Sequence, residues 1–295
     1  MPKVLVISDH PELYSSKRLI EEVQKKGLSA AFLNPFNHSM CLGRELPKKD
    51  SPQLVLHRTT GIRHADFDLS VALYLENNGA HITNSINSFS LLRGKEKQAL
   101  FFAKHQLPAI PTFSFRGRPN PELVEEITHY FEKCGFESEQ FILKTIRGNQ
   151  GIGVNLIRGR DSLASLLETF WAIQDQDLLI QPFIHIDEEF RIFTINGKIE
   201  GALHRRPQSG EFRSNSARGE GVAINITSIP NKIHELVYEA WKNSGATYAG
   251  IDLLKKGEEF LIIEYNLVPG FHQMEELTQK NIAAKIIDAA LKELP

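Results

Sequence analysis

The chain has 295 residues, enough for two or three packed layers of secondary structure. Hydrophobic residues at 41% and charged residues at 24% are ordinary for a globular protein and exclude a disordered or fibrous chain. With 34 Lys and Arg against 36 Asp and Glu, the formal charge of -2 gives no global field favouring nucleic acid or anionic membrane, so any basic site must be local.

The opening "MPKVLVISDH" has four consecutive apolar residues before Ser8 and Asp9, too few for the apolar region of a signal peptide. The expected compartment is the cytoplasm. No apolar run approaches the roughly 18 residues of a membrane span. Cys41 and Cys134 form no C-x-x-C pair and are expected to be reduced, buried small apolar residues.

In chain order, "KVLVIS" reads as a buried strand, "SKRLIEEVQKKG" as an amphipathic helix ending at Gly27, and "SAAFLNP" as a second strand. "QLVLHR", helical "DFDLSVALYLENNG" and "AHITNS" continue the alternation, which predicts a parallel sheet with crossover helices. "SFSLLRGKEKQALFFAKHQ" reads as one further helix. "LPAIPTFSFRGRPNP", with four prolines, places a boundary near Pro108. Beyond it, "PELVEEITHYFEKCG" and "SLASLLETFWAI" read as helices. "QFILK", "GVNLI", "DLLIQPFI", "EFRIFTI" and "KIEGALHRR" read as strands, the last two joined by an Asn196-Gly197 hairpin turn. The final third gives a helix "NKIHELVYEAWKNSG", strands "AGIDLL" and "EEFLIIEYN", and a terminal helix "NIAAKIIDAALKEL". The fold class is therefore α/β followed by α+β.

"LKTIRGNQGIGVNLI" sets Gly148, Gly151 and Gly153 in a G-x-x-G-x-G pattern between two strand-like runs. A dinucleotide loop would open a helix and a Walker loop would end in Gly-Lys-Ser/Thr, so neither context is present. A glycine hairpin tip lets backbone N–H groups approach phosphate oxygens, and Lys144 and Arg147 would balance their charge. An ordinary turn-rich surface hairpin fits the same residues.

Asp252 lies inside an apolar strand, while Glu264 and Asn266, two apart, share one face of another. Such oxygen donors suit Mg²⁺, which bridges to substrate phosphates; isolated polar positions on a half-exposed strand are the alternative. "HRRPQSGEFRSNSARGEG" concentrates Arg205, Arg206, Arg213 and Arg218 with Ser214 and Asn215, either an anion site or a solvated basic loop. No H-E-x-x-H, G-x-S-x-G or serine-histidine-acid order suggests a covalent nucleophile, and His185, His204 and His272 receive no role.

Taken in order, "LYSSKRL", "KTIRGNQGIGV", "RRPQSGEFRSN", "AGIDLL" and "EYNLVPGF" followed by "NIA" resemble the RimK-type glutamate ligases of the ATP-grasp superfamily. The resemblance spans nearly the whole chain. It implies an ATP-grasp fold with an N-terminal pre-ATP-grasp domain at 1–107, a central subdomain at 108–183 and a C-terminal subdomain at 184–295, with ATP between the last two. It implies phosphate contacts from Lys97, Lys144 and the loop glycines, an adenine linker at Gln181, Pro182, Phe183 and Ile184, and a nucleotide-binding acid at Glu189. Arg213, Ser214 and Asn215 would bind nucleotide, with Arg213 and Asn215 facing the reacting phosphate and acyl group. Asp252, Glu264 and Asn266 would hold Mg²⁺, or Mn²⁺ in its place.

The implied activity is ATP-dependent joining of L-glutamate to a protein or peptide C-terminus, a glutamate chain or a small carboxylic acid. Arg191 and Arg205 are candidates for substrate binding, Arg191 being equally suited to pairing with Glu188 or Glu189 across strands. The resemblance also implies a homo-oligomer; no nucleic-acid or membrane partner is expected. Four positions depart from the family pattern: Pro182, which lacks an N–H for adenine, Glu189 for Asp, Val268 in "NLVPG" and Glu220 in "ARGEG". They bear on the second substrate more than on ATP. Alternatives are another ATP-grasp ligase, glutathione-synthetase-like or acting on an amino-group carrier protein, and a non-catalytic ATP-binding module.

Overall fold

The structure, a computed structural model, describes residues 4–42, 51–60, 66–145, 153–173, 176–185, 188–207 and 219–294. Its first third is a parallel sheet of order β2-β1-β3-β4, built from β1 (Val4–Ile7), β2 (Ala30–Leu33), β3 (Leu54–His57) and β4 (His81–Thr83). Helices α1 (Tyr14–Lys25) and α2 (Phe67–Asn77) make the crossovers. β1 and β3 are buried at every position, as expected of central parallel strands covered on both faces. Gly27, at φ 71°, takes the left-handed conformation just beyond α1.

The predicted single helix at 88–106 is two helices, α3 (Ile86–Leu92) and α4 (Lys95–Lys104). Ser85 caps the first by accepting the Ser88 N–H. Gly94, at φ 99°, breaks the run, because only glycine adopts that conformation without steric cost. Helical periodicity continues across the break, so the sequence conceals it.

The second sheet is antiparallel, in the order β5-β8-β6-β7. It comprises β5 (Phe113–Phe115), β6 (Gln140–Thr145), β7 (Val154–Arg158) and β8 (Leu178–Pro182), packed against α5 (Leu123–Lys133) and α6 (Arg160–Ile173). This unit has its own core, in which Ile127 and Phe131 of α5 and Leu163 and Leu167 of α6 meet Phe141 and Ile180.

A five-stranded antiparallel sheet of order β11-β10-β9-β12-β13 follows. Its strands are β9 (Glu188–Ile195), β10 (Lys198–Pro207), β11 (Gly219–Ala223), β12 (Tyr248–Lys256) and β13 (Glu259–Asn266). Three helices accompany it: α7 (Asn231–Ser244), α8 (His272–Thr278) and α9 (Ile282–Lys292). Asn196 and Gly197, at φ 48° and 73°, form the predicted hairpin turn between β9 and β10. One face packs on α3, α4 and α7 through Phe89, Phe101, Ile233, Ile251 and Tyr265. The opposite face shares a core with the first sheet, where Phe193 and Tyr248 meet Val6, Leu54 and Ile286.

Buried Asn84 pins that junction, donating to the Tyr248 and Leu267 carbonyls and accepting the Thr247 and Tyr248 N–H groups. The connection at Pro108 does not hang free. Ile262 N–H donates to the Pro108 carbonyl at 2.8 Å, Ile110 N–H donates to Ile262, and the segment lies along the outer edge of β13. Short β5, β11 and α8 lie outside the sequence expectations. Cys41 and Cys134 are free but exposed, correcting the expected burial. Among the described residues no helix is long and apolar enough to cross a membrane.

Candidate active site

A cleft opens between the second and third sheets, floored by α4. Its lining includes Lys95, Gln98, Ala99 and Phe102, Ile110 and Thr112, Lys144, Gln181, and Ile263 and Glu264. The four α4 residues recur at i, i+3, i+4 and i+7, one helical stripe. That phase places Lys95 in the cleft and leaves Lys97, about 200° around the helix, exposed outside it. Lys95 is therefore the cleft lysine of "GKEK", in place of the expected Lys97.

Lys144 arrives from β6, where alternation buries Phe141 and Leu143 in the unit core and turns Lys144 to the cleft. Burial and neighbouring Lys95 pull its ammonium down to about 8, while Glu264 and Glu189 oppose the shift. Beyond β6, Gly153 stands at φ 77°, and a Cβ there would lie 2.2 Å from Thr145 Oγ1. The glycine is thus required by both conformation and space. Gly148, Gly151 and Arg147 lie outside the described residues, as do Arg213, Ser214 and Asn215.

In the expected adenine linker, Gln181 faces the cleft and donates to Thr112 Oγ1 at 2.8 Å. Pro182 pairs with Phe141 within the sheet and is buried. Phe183 N–H donates to the Gln140 carbonyl at 2.9 Å, so it is not a free donor for a base. Of the residues flanking Pro182, Ile184 retains an N–H without an assigned partner in the sheet.

The carboxylates come from register. Glu264 on β13 lies opposite Asp252 on β12, Asp252 lies opposite Arg191 on β9, and Glu189 lies opposite Arg205 on β10. Asn266 follows two residues after Glu264 and accepts the Val268 N–H at 3.0 Å, turning the chain toward Pro269. Arg191 Nη1 donates to Asp252 Oδ2 at 2.5 Å, so its partner is Asp252 in place of the expected Glu188 or Glu189. Arg205 Nη1 stands 3.6 Å from Asp252 Oδ1 and 3.9 Å from Glu189. Burial pushes Glu189 up to about 8, with Asp252 adding to the shift and both arginines opposing it. Burial likewise lowers Arg205 against the pull of Asp252.

Asp252 Oδ1 is buried and accepts no hydrogen bond from any described residue. A buried carboxylate oxygen in that state fits a hard cation, and Glu264 and Asn266 add oxygen donors on the same sheet face. Among the described residues no three His, Cys, Asp or Glu side chains cluster as a metal site, so the set depends on the Asn266 amide.

Gln98 joins these parts. Only 7% exposed, it accepts the Tyr265 N–H at 3.0 Å and donates to the Leu92 carbonyl at 3.0 Å. Tyr265 lies between Glu264 and Asn266, and its N–H points away from β12 at the sheet edge. Gln98 thereby fixes the acidic strand against the helix that carries Lys95.

Residues 94–290, more than half of the chain, match the RimK-like ATP-grasp domain family. A probable alpha-L-glutamate ligase 2 of Shewanella baltica is 29% identical over 300 residues, covering 97% of this chain and 94% of its own. Among solved structures, a RimK domain ATP-grasp protein from Sphaerobacter thermophilus superposes with a TM-score of 0.72 at 17% identity, covering 98% of this chain and 99% of its own. The ATP-grasp ligase PsnB, solved with a phosphomimetic variant of its minimal precursor, Mg and ADP, superposes at 0.74 and 16% identity, covering 100% and 99%. Sheets, cleft and sequence thus agree on an ATP-grasp ligase. The chain belongs to the RimK-like ATP-grasp family and is an ATP-dependent ligase.

Proposed function

We propose that the protein joins the amine of L-glutamate to an acceptor carboxylate, with ADP and phosphate released. The observation that carries this reading is the convergence, across one cleft, of Lys95 and Lys144 with the sheet face bearing Asp252, Glu264 and Asn266. The probable alpha-L-glutamate ligase name of the Shewanella relative supports the choice of amine.

The two lysines would hold nucleotide phosphates. Mg²⁺, or Mn²⁺ in its place, fits Asp252, Glu264 and Asn266 and would supply charge neutralisation at the transferred phosphoryl group. The γ-phosphoryl group would pass to the acceptor carboxylate to give an acyl phosphate, which the amine then attacks. No enzyme nucleophile is needed, so the chain's work is alignment, charge compensation and exclusion of water. Arg213 and Asn215 are assigned to the reacting groups, and the loop with Gly148, Gly151 and Gly153 to covering the phosphates. Unit boundaries at 1–107, 108–183 and 184–295 belong to the same proposal, supported by the second sheet running from Phe113 to Pro182 and the third beginning at Glu188.

The test is ADP release with Mg-ATP and L-glutamate over a panel of carboxylate acceptors, in the natural chain and in Glu264→Ala. Activity in the former and none in a folded Glu264→Ala protein is expected. Equal turnover in both would remove the metal assignment.

A further inference from the structure

We infer that the C-terminal ends of β1 and β3 form a subsite for a carboxylate of the amino-acid substrate, with Arg58 as its receptor. This rests on the ligase reading above and names where its second substrate is gripped.

Three independent observations converge on Arg58. The first is topological. In the order β2-β1-β3-β4 the winding reverses between β1 and β3, and doubly wound sheets bind ligands outside the strand ends at such a reversal. Arg58 immediately follows β3, and its N–H donates to the Ile7 carbonyl of β1 at 2.7 Å. It therefore sits at the switch point itself.

The second is an unmet hydrogen-bonding demand. Arg58 is 7% exposed, and its Nη2 donates to the Pro269 carbonyl at 2.7 Å. Its Nε and Nη1 are buried and have no partner among the described residues. The rings of Tyr248 and Phe271 lie 5.8 and 5.6 Å from the guanidinium, and the buried Tyr248 hydroxyl also has no partner. Buried donors in that number call for acceptor oxygens, and a guanidinium matches a carboxylate better than a neutral group.

The third is position relative to the chemistry. A Cβ on Gly250 would stand 2.8 Å from Pro269 Cβ and 3.2 Å from Arg191 Cζ. Arg58 and Arg191 thus flank the same Pro269 turn, one from the first sheet and one from the reaction face. Arg58 does not line the lysine cleft, so its anion is distinct from the nucleotide phosphates.

The neighbours of Arg58 are built to hold it still. Asp68 takes both Arg93 nitrogens, at 2.7 and 3.0 Å, together with the Thr59 hydroxyl and the His57 ring. Arg93 also donates to the Thr59 carbonyl at 3.0 Å. Residues 57 and 59 are thereby anchored on either side of Arg58, the preorganisation that a recognition residue needs.

Calorimetric binding of L-glutamate to the full chain, with a non-hydrolysable ATP analogue and Mg²⁺ present, tests this in the natural protein, Arg58→Gln and Arg58→Lys. Arg58→Gln should weaken glutamate about tenfold or more, with Arg58→Lys intermediate and nucleotide affinity unchanged in both. Glutamate binding that is equal in all three proteins overturns the subsite and leaves the ligase reading standing. Parallel loss of nucleotide affinity overturns it in favour of a purely structural arginine. Failure of the natural protein to bind glutamate overturns the choice of amine together with the subsite.

Discussion

Lys144 illustrates how single side chains are tuned here. Burial and Lys95 hold its pKa near 8, so in the free protein it loses charge as pH rises through that value. Because the folded value lies below the ordinary 10.5, the charged lysine costs stability below about pH 8, and that cost is relieved between 8 and 10.5. Nucleotide phosphate should restore the proton. Calorimetry near pH 9, in buffers of different ionisation heat, should therefore show proton uptake on ATP binding that Lys144→Met abolishes; buffer-independent heats would contradict this. Lys144→Ala should also raise the ATP concentration needed for half-maximal turnover, and an unchanged requirement would count against its phosphate role.

Gln98 and Gly153 show the same logic at the scale of elements. Gln98→Leu strands the Tyr265 N–H and the Leu92 carbonyl, a buried pair whose loss should cost roughly 2–3 kcal/mol in urea unfolding. It should also raise the Mg²⁺ requirement more than it lowers the maximal rate, because Tyr265 orients Glu264 and Asn266. Lost stability with an unchanged Mg²⁺ requirement would assign Gln98 to packing alone. Gly153→Ala should destabilise the β6–β7 hairpin, since it strains both φ and the Thr145 contact.

Elements also show what could be read in advance. Strands β1, β3, β6 and β13 were legible because their apolar runs and alternation are local properties. The i, i+2 spacing of Glu264 and Asn266 was legible for the same reason. β5 and β11 were not, being short edge strands with little pattern. Which lysine of "GKEK" enters the cleft depends on the phase of α4 against Phe102 and Gln98, and the break at Gly94 hides that phase. The pairing of Asp252 with Arg191 depends on nonlocal register, as does that of Asp252 with Glu264, where a bulge in the β12–β13 ladder just after Asp252 is not revealed by sequence alternation. Arg58 was invisible for a related reason: its significance comes from strand order.

At the scale of the molecule, the first and third sheets share cores while the second has its own. Such a division predicts that the central unit opens by local unfolding as a cooperative body of its own. Leu163→Ala, which empties a fully buried site in the central core, should cost about 2–5 kcal/mol and accelerate hydrogen exchange there first. Uniform acceleration across all three sheets would contradict independent central packing.

The central claim is that the cleft joins glutamate to a carboxylate at the expense of ATP. Its most direct test is ADP release with Mg-ATP and L-glutamate across acceptor carboxylates, followed by intact mass of the products. Glutamate-dependent ADP release with products heavier by whole glutamyl residues is the predicted result. ADP release that ignores glutamate, or products that gain a different amine, would contradict it.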